Sequence, residues 1–402
     1  MALASMISVE DARARVLAGL APTAAEIVPL AEACGRVATT DIISRLSHPP
    51  QDVSAMDGYA VRAADADPRV VVGAAPAGHP WAGTMAEGQA LRLFTGSVVP
   101  DGADAVVLQE DVDREGDRIV VRETTTVGQH IRRAGQDFAA GQVLVAAGHL
   151  LSPRQIGLVA AGNHAWVPVH RRPMVAILAT GDEIVLPGDP VPSGGIVSSN
   201  SHALAGLVRA CGGVPMMLPI AADDRATIAA GAAAAQGCDL LVTTGGASVG
   251  DHDLVADALS EQGLALDFWK IAMRPGKPLM HGRIGRLPLL GLPGNPVSAY
   301  ICAVLFLKPA IERLSGLPGT ASQPVSAVLT VGLKANDHRA DHLRCTLTEA
   351  DGVLMATPFK RQDSGMMRTL AAADGVILRA PHAPAVAAGE TVSVLRLDAM
   401  GL

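Results

Sequence analysis

Apolar residues recur at helical spacing at two places in the first half of the chain, with short apolar runs between them. Ser8 can cap the first of these helices, and Ser152 and Gly162 mark the beginning and end of the second. Over 46–137 the apolar runs are brief and separated by Gly, Pro and Asp, which is typical of strands. We therefore predict a β-rich lobe over 46–137, inserted into a helical segment of 1–45 plus 138–172.

From Pro173 onward, apolar runs of strand length alternate with helical patterns. This alternation predicts a mostly parallel sheet with helices on both faces over 173–316. Pro309 lies inside the last helical pattern, so we expect a kink or a break there. After residue 317 the runs return to strand type, with a hairpin near Asp351-Gly352, and predict a small all-β domain over 317–402. The predicted fold class is thus a multidomain α/β protein.

Composition narrows the classes of function. The 402 residues include 39 acidic and 32 basic side chains, a formal charge of −7, with no block of like charge, so we expect no nucleic-acid partner. Although 49% of residues are hydrophobic, no apolar run approaches the length of a membrane helix. The first residues lack the pattern of a secretion signal, and the five cysteines contain no CxxC pair. We expect a cytoplasmic protein without a membrane anchor.

Three loops follow predicted strands of the parallel sheet, at the edge where such sheets bind ligands. They are TGDE (180–183), TTGGASVGDHD (243–253) and GLPGNP (291–296). Glycines in the second loop let the backbone approach an anion closely, and a tight strand-to-helix turn explains them equally well. The rigid third loop suits a ligand contact or a structural turn. The candidate ligand-binding residues here are Gly245, Gly246, Ser248, Gly250, Pro293 and Asn295.

Carboxylates without accompanying His or Cys suit a hard cation such as Mg²⁺. Glu183 and Asp253 flank glycine-containing loops and are the candidate metal ligands, whereas helix capping accounts best for Asp223 and Asp224. Three cations lie close together in WKIAMRPGKP, and they suit either phosphate chemistry or an ordinary solvated surface: Lys270, Arg274 and Lys277.

Seven motifs occur together in one order: SAMDGYAVR, TGSVVPDGADAVV, IRRAGQD, ATGDE, TTGGASVGDHD, WKIAMRPGKP and GLPGNPVSA. This set resembles the molybdopterin molybdenumtransferases, a family that includes the bacterial molybdenum-insertion enzymes and the C-terminal part of gephyrin. The likeness extends from about Ser8 to the final β domain. It implies a homodimer whose protomers have a split helical segment, a β-rich lobe, a molybdopterin-binding α/β domain and a C-terminal β domain.

The resemblance also implies a reaction and its residues. Adenylylated molybdopterin and molybdate bind with Mg²⁺, the diphosphate link is cleaved, AMP leaves, and molybdenum is bound by the dithiolene sulfurs. The positions that match implicated family residues are Asp57, Thr95, Glu183, Asp253 and Lys270, with looser matches at Arg132 or Arg133, Asp137 and Ser364. Arg274 stands where some members carry Lys. Asp57 and Thr95 fit this scheme only if their lobe closes over the α/β domain, of the same chain or of a partner.

Two other functions compete with this interpretation. A molybdopterin adenylyltransferase would share the α/β domain without needing the other parts, and the length of the chain argues against it. A gephyrin-like scaffold that clusters proteins is not an enzyme, and the retained acids and Lys270 argue against it. The molybdopterin adenylyltransferase is also a candidate protein partner.

Overall fold

The computed structural model describes residues 6–245, 254–320 and 322–402. The chain forms two compact units. The larger unit comprises Met1–Glu26, Gly35–Val37 and His170–Leu402, and the smaller unit comprises Ile27–Cys34 and Ala38–Val169. In the part of the chain that is described, no helix has the length and apolar character required to span a bilayer.

The first helix, α1 (Val9–Ala18), begins where the sequence predicts it. The Ser8 hydroxyl accepts a hydrogen bond from the Asp11 N–H at 3.0 Å, which satisfies one of the free donors of the first turn. Val9, Ala12 and Val16 share one face and are buried in the main core of the larger unit. A helix this short is only marginally stable by itself, so packing of this face stabilises it.

The chain between residues 25 and 170 is largely β-structure, as predicted for its central part. Six of its strands form a mixed sheet in the order β7-β4-β6-β5-β9-β8. The predicted second helix is present, with a capping box between Ser152 and Gln155. The elements are β1 (Ala25–Pro29), 3₁₀ turn Leu30–Glu32, β2 (Ile42–Ile43), β3 (Val53–Ser54), β4 (Gly58–Val61), β5 (Arg69–Ala75), β6 (Gln89–Leu93), β7 (Ala105–Leu108), 3₁₀ turn Gln109–Asp111, β8 (Val112–Glu115), β9 (Arg118–Val121), β10 (Ile131–Arg132), β11 (Val143–Val145), α2 (Pro153–Ala161) and β12 (Trp166–His170).

The α/β part of the larger unit is built on a six-stranded sheet of order β16-β13-β17-β21-β20-β18. Strands β16, β13, β17 and β21 are parallel, which confirms the predicted parallel sheet. The elements are β13 (Met174–Ala179), β14 (Ile184–Val185), β15 (Ile196–Val197), α3 (Asn200–Ala210), β16 (Val214–Met217), α4 (Arg225–Ala234), β17 (Leu240–Thr244), α5 (Leu254–Glu261), β18 (Leu264–Trp269), β19 (Met273–Arg274), β20 (Met280–Ile284), β21 (Leu287–Leu292), α6 (Pro296–Cys302) and α7 (Lys308–Leu314).

Helices cover both faces of this sheet, as the alternation of strands and helices predicts. Val175 and Ile177 of β13 pack into the same core as α1, α3 and α6. Ala176 and Leu178, which point to the other face, pack into a separate core with α4 and α5. The sequence of a strand that is buried on both faces is a nearly continuous apolar run, as it is for β13.

Strand β20 is not predicted from the sequence, because its residues MHGRI do not form a clear apolar run or a regular alternation of apolar and polar side chains. This strand is antiparallel to both β21 and β18. Two successive reversals bring β18 back to the direction of β21. The carboxyl end of β18 therefore lies at the same edge of the sheet as the carboxyl ends of the parallel strands.

The expected break near Pro309 is present. Residues Ala303–Leu307 form a π-helical turn between α6 and α7, just before the proline. Proline lacks the N–H of a regular helix and its ring clashes with the carbonyl of the preceding turn, and a wider turn relieves both problems.

The C-terminal part is a small β domain, as predicted. Strands β22 (Val325–Leu329), β23 (Ala340–Ala350), β24 (Val353–Pro358), β25 (Gly375–Arg379) and β26 (Thr391–Arg396) close into a five-stranded barrel, with α8 (Met367–Ala371) and a 3₁₀ turn Asp398–Met400. The predicted hairpin turn is confirmed: Asp351 and Gly352 have φ of 51° and 75°, the signature of a tight turn that matches strand twist.

Candidate active site

A cleft of about 600 Å³ lies at the carboxyl edge of the parallel strands in the larger unit. The described parts of the predicted ligand loops come together here, because β13, β17 and β21 end side by side. The lining includes, from these loops and their neighbours, Ala179, Glu183, Ser198, Ser199, Asn200, Thr244, Gly245, Gly294, Asn295, Pro296, Gly365 and Met367.

Gly245 is the first residue after β17, and its backbone conformation excludes other residues. Its φ is +97°, and a Cβ atom built there would lie 2.1 Å from the carbonyl oxygen of Thr180. The Thr180 N–H also donates to the Thr244 carbonyl at 3.0 Å, so the ends of β13 and β17 are in close contact. A glycine at this position lets the two strand ends approach each other at the floor of the cleft.

Asn200 joins three of the elements that form the cleft, and it is not among the residues predicted from the sequence. Its Nδ2 donates to the Thr244 hydroxyl at 2.9 Å and to the Gly294 carbonyl at 2.8 Å. The Thr244 hydroxyl in turn donates to the Pro293 carbonyl at 3.3 Å. The GLPGNP turn is thus attached to β17 and to the first turn of α3. An Asn at the start of a helix pattern indicates only a cap, so no local signal could have identified this role.

Glu183 lies on one side of the cleft, and its side chain is exposed. The Glu183 carbonyl accepts from the Ile196 N–H at 2.7 Å, which continues the short parallel pairing of β14 with β15. This pairing places Ile184, Ile196 and Val197 beside the carboxylate as an apolar wall.

The other acids near the sheet edge have structural partners. Asp224 caps α4, and its carboxylate accepts from the N–H groups of Thr227 and Ala226. The hydrogen bonds from the Thr227 N–H and hydroxyl are the main reason that the pKa of Asp224 is lowered. This confirms capping at Asp224. Asp182 and Asp223 exchange hydrogen bonds, each carboxylate accepting from the other's backbone N–H. Within the described residues no group of three or more His, Cys, Asp or Glu side chains is arranged to hold a metal.

Lys270 follows β18 directly and lies in an unusual conformation. Its φ is +85°, a region that non-glycine residues seldom occupy, and its Nζ lies 4.9 Å from the centre of the Trp269 ring. Lys277 is close in space, since its carbonyl accepts from the Ile271 N–H at 3.0 Å. Neither lysine forms an ion pair with a described residue.

Arg274 differs from these lysines because its charge is already paired. Its Nε and Nη2 donate to the two carboxylate oxygens of Asp341 at 2.8 and 2.5 Å, and Nη1 contacts Asp337 at 3.4 Å. The hydrogen bond to Asp341 is the main reason that the pKa of Arg274 is raised. The structure therefore places Arg274 in a bidentate pair that attaches β19 to the barrel.

The loop that carries Ser364 reaches the cleft from the C-terminal barrel through Gly365 and Met367. The Ser364 carbonyl accepts from the Val297 N–H at 3.0 Å, at the first turn of α6. This loop is held by Arg344, a buried residue that is not among those predicted from the sequence. Arg344 donates to the carbonyls of Asp363 at 2.9 Å and Met366 at 3.2 Å.

The smaller unit contains the remaining predicted residues. The Asp57 carboxylate accepts from the Thr95 N–H at 2.7 Å and from its hydroxyl at 2.9 Å, and these two bonds lower the pKa of Asp57. Both residues are exposed, so the pair presents an ionised carboxylate at neutral pH. Arg132 belongs to β10, which pairs with β3 just before Asp57.

Arg132, Arg133 and Asp137 are all exposed, and Arg133, the alternative to Arg132, forms an ion pair with Asp52 at 2.5 Å. Four predicted positions lie outside the described residues, namely Gly246, Ser248, Gly250 and Asp253, and they stay predictions.

Comparison with known proteins links this geometry to one family. Residues 7–162 match the model of the MoeA N-terminal region (domain I and II), 176–313 match a probable molybdopterin binding domain, and 326–397 match the MoeA C-terminal region (domain IV). The chain is 37% identical over 381 residues to molybdopterin molybdenumtransferase 2 of Mycobacterium tuberculosis, covering 91% of this chain and 94% of the relative.

A molybdopterin molybdenumtransferase of Haemophilus influenzae is 34% identical over 397 residues, covering 97% of this chain and 98% of the relative. Among solved structures, a molybdopterin biosynthesis MoeA protein from Pyrococcus horikoshii OT3 superposes with a TM-score of 0.84 at 29% identity. The superposition covers 97% of this chain and 99% of the Pyrococcus horikoshii chain.

Proposed function

Since this chain belongs to the MoeA family of molybdopterin molybdenumtransferases, enzymes of molybdenum cofactor biosynthesis, we propose that its substrates are adenylylated molybdopterin and molybdate and that it uses Mg²⁺. In the proposed reaction the diphosphate link is cleaved, AMP leaves, and molybdenum is bound by the dithiolene sulfurs. The observation that carries this proposal is the convergence of Glu183, Gly245 and Asn295 on one cleft.

The sheet edge is long enough to bind an extended ligand. Leu178, Thr243, Gly291, Met280 and Trp269 form one row of paired residues across five strands. Four strand spacings of about 4.8 Å give roughly 19 Å between the first and the last. Lys270 follows the last residue of this row. A substrate with ring systems on both sides of a diphosphate fits an edge of this length, with the cleft near one end and the lysines at the other.

The donor set on this edge fits Mg²⁺. Glu183 supplies an exposed carboxylate beside the cleft, and it has no ion pair with a described residue. Mg²⁺ commonly takes one or two protein carboxylates and completes its shell with water and phosphate oxygens. Glu183 would hold the ion, with the predicted ligand Asp253 as the second carboxylate. When bound, the ion would offset negative charge on the diphosphate.

The protein's own cations would act on the same oxygens. Lys270 and Lys277 are free of ion pairs with described residues, so their ammonium groups are available to phosphate or to molybdate. Preorganised charge of this kind stabilises oxygens that become more negative as a phosphate link breaks. Arg274 acts differently in this proposal, because its bond to Asp341 holds the segment between the two lysines.

We also propose that the active unit is a homodimer in the cytoplasm, with the molybdopterin adenylyltransferase as a partner that hands over the substrate. An exposed apolar group on the smaller unit supports an interface between copies. Ile27, Ile43 and Trp166 line one pocket and are 71%, 47% and 57% exposed. Analytical ultracentrifugation of the wild type and of Trp166→Glu would test the dimer, and a fully active monomer would contradict it.

The reaction is tested with the purified full chain, adenylylated molybdopterin, molybdate and Mg²⁺. We expect AMP and active cofactor to form together, chelation to stop both, and added Mg²⁺ to restore them. Glu183→Gln should lower the rate by about tenfold or more, roughly 1.4 kcal/mol of barrier. Glu261→Gln is the control, because Glu261 lies on α5 in an exposed pair with Arg225. AMP release by Glu183→Gln at the wild-type rate would contradict the metal assignment.

A further inference from the structure

The orientation of the Asn200 amide is fixed by its partners. The Gly294 carbonyl can only accept, so the atom that contacts it at 2.8 Å must be the nitrogen, Nδ2. The second bond of Nδ2 goes to the Thr244 hydroxyl, whose own proton is directed to the Pro293 carbonyl. Both amide protons of Asn200 are therefore engaged.

The amide oxygen of Asn200 is the group that remains available. No donor of the described residues reaches Oδ1, while Asn200 lines the cleft and is partly exposed. Because the nitrogen is held at two points, Oδ1 has little freedom to turn away. A fixed acceptor in a cleft selects a ligand that presents a donor, since a partner without one leaves the acceptor unpaired.

The wall beside this acceptor is aliphatic. Ile196 and Val197 are 54% and 44% exposed, and with Ile184 they line the same cleft as Asn200. Adjacent exposed aliphatic side chains that line a cleft are typical of a surface that contacts an apolar part of a ligand. An apolar wall next to one directed acceptor suits the face and the edge of a flat nitrogen heterocycle.

We infer that Asn200 is a specificity-determining residue that accepts a hydrogen bond, through Oδ1, from an N–H group on the edge of a flat heterocycle bound in this cleft. The inference rests on the proposed function and deepens it. The pterin and the adenine of the proposed substrate both carry such N–H groups, so the shared chemistry defines the site and the experiment identifies the ring.

The test uses two ligand pairs that differ only in their N–H groups. One pair is 6-hydroxymethylpterin and its derivative methylated at N3 and at the 2-amino nitrogen. The other pair is AMP and N6,N6-dimethyl-AMP. In calorimetric titrations of the wild type, the Kd values of the two members of one pair should differ by about fivefold or more, which is the contribution of one neutral hydrogen bond. Asn200→Ala should reduce that ratio to about one.

Thr244→Val is the matched control. It removes one of the two anchors of the amide but leaves Oδ1 and the Gly294 contact. Because the Gly294 carbonyl alone still requires the nitrogen to face it, we expect Thr244→Val to weaken both members of a pair alike and to keep the ratio of their affinities. The pair whose two members bind the wild type with different affinities identifies the ring that is bound in the cleft.

Three results would overturn the inference: no separation of either pair by the wild type, an unchanged ratio in Asn200→Ala, or no binding of either parent ligand. Molybdenum insertion by the wild type, measured in parallel, keeps the two proposals apart. Insertion without N–H discrimination rejects only the role of Asn200. Discrimination without insertion rejects only the proposed reaction.

Discussion

Replacing Arg344 with Met should release the loop that carries Ser364 from the C-terminal barrel. Arg344 is 1% exposed, and its guanidinium donates to the Asp363 carbonyl at 2.9 Å, the Met366 carbonyl at 3.2 Å and the Gln362 side chain at 3.3 Å. Met fills a similar volume without any donor. The loop would then lose the side chain that holds it in register with α6.

The magnitude follows from these three bonds. A hydrogen bond from a charged donor contributes about 1.5–3 kcal/mol, and removing the donor leaves buried acceptors unpaired. Burial disfavours the guanidinium, which is why the pKa of Arg344 is lowered, and relief of that cost offsets part of the loss. We expect a net loss of about 3 kcal/mol, which for a protein of this size corresponds to a Tm lower by about 4–6 °C.

The assay compares Arg344→Met with Arg379→Met. Arg379 is also buried in the barrel and donates to the Lys334 carbonyl at 3.2 Å and to the Pro384 carbonyl, but neither acceptor belongs to the loop that lines the cleft. Both variants should lose comparable stability in thermal unfolding. Only Arg344→Met should also lower molybdenum insertion at a temperature where both are folded. Equal activity of the two variants would refute the link between Arg344 and the site.

Three further changes test other parts of the structure. Gly245→Ala should lower the Tm by more than Gly237→Ala, since both have φ above +90° but a Cβ at Gly245 would lie 2.1 Å from a carbonyl oxygen and one at Gly237 meets nothing within 4 Å; equal shifts in thermal unfolding would contradict this. Thr95→Val should raise the pKa of Asp57 toward its ordinary value in an NMR titration, because it removes the hydroxyl donor and keeps the N–H; no change would show that the backbone bond alone matters. Burial lowers the pKa of His342 from 6.5 to about 4, so the unfolded chain takes up a proton before the fold does. Stability should therefore fall by about 3 kcal/mol between pH 6.5 and 4, and urea unfolding of His342→Gln should show a flatter dependence.

Local signals predicted the elements and failed where a role depends on distant residues. The strand ends at Thr180, Gly245 and Pro293 follow apolar runs that stop at Gly or Pro, so the sequence alone locates them. The capping role of Asp224 is likewise local, because its partners are two and three residues away. The role of Asn200 depends on residues 44 and 94 positions away, and no pattern within a helix encodes such contacts.

Arg274 shows the same limit for charge. Three cations in one short segment predicted a shared role, and the structure divides them. A carboxylate 67 residues later binds Arg274 through both oxygens, while Lys270 and Lys277 lack such a partner in the described residues. Sequence identifies a cluster of charge, but only the fold determines which charges are already neutralised.

The C-terminal barrel is attached to the α/β part of the larger unit at two places along the sheet edge. On one side, β19 pairs with β23, so the segment between Lys270 and Lys277 is fixed to the barrel. On the other side, the Ser364 carbonyl accepts from Val297 at the start of α6. Loops at a sheet edge are ordinarily free to move relative to each other. Attachment at two points restricts that motion, and reacting groups need to be held within about half an ångström for efficient chemistry. The barrel therefore contributes to the proposed reaction by positioning, even where it supplies no reacting group.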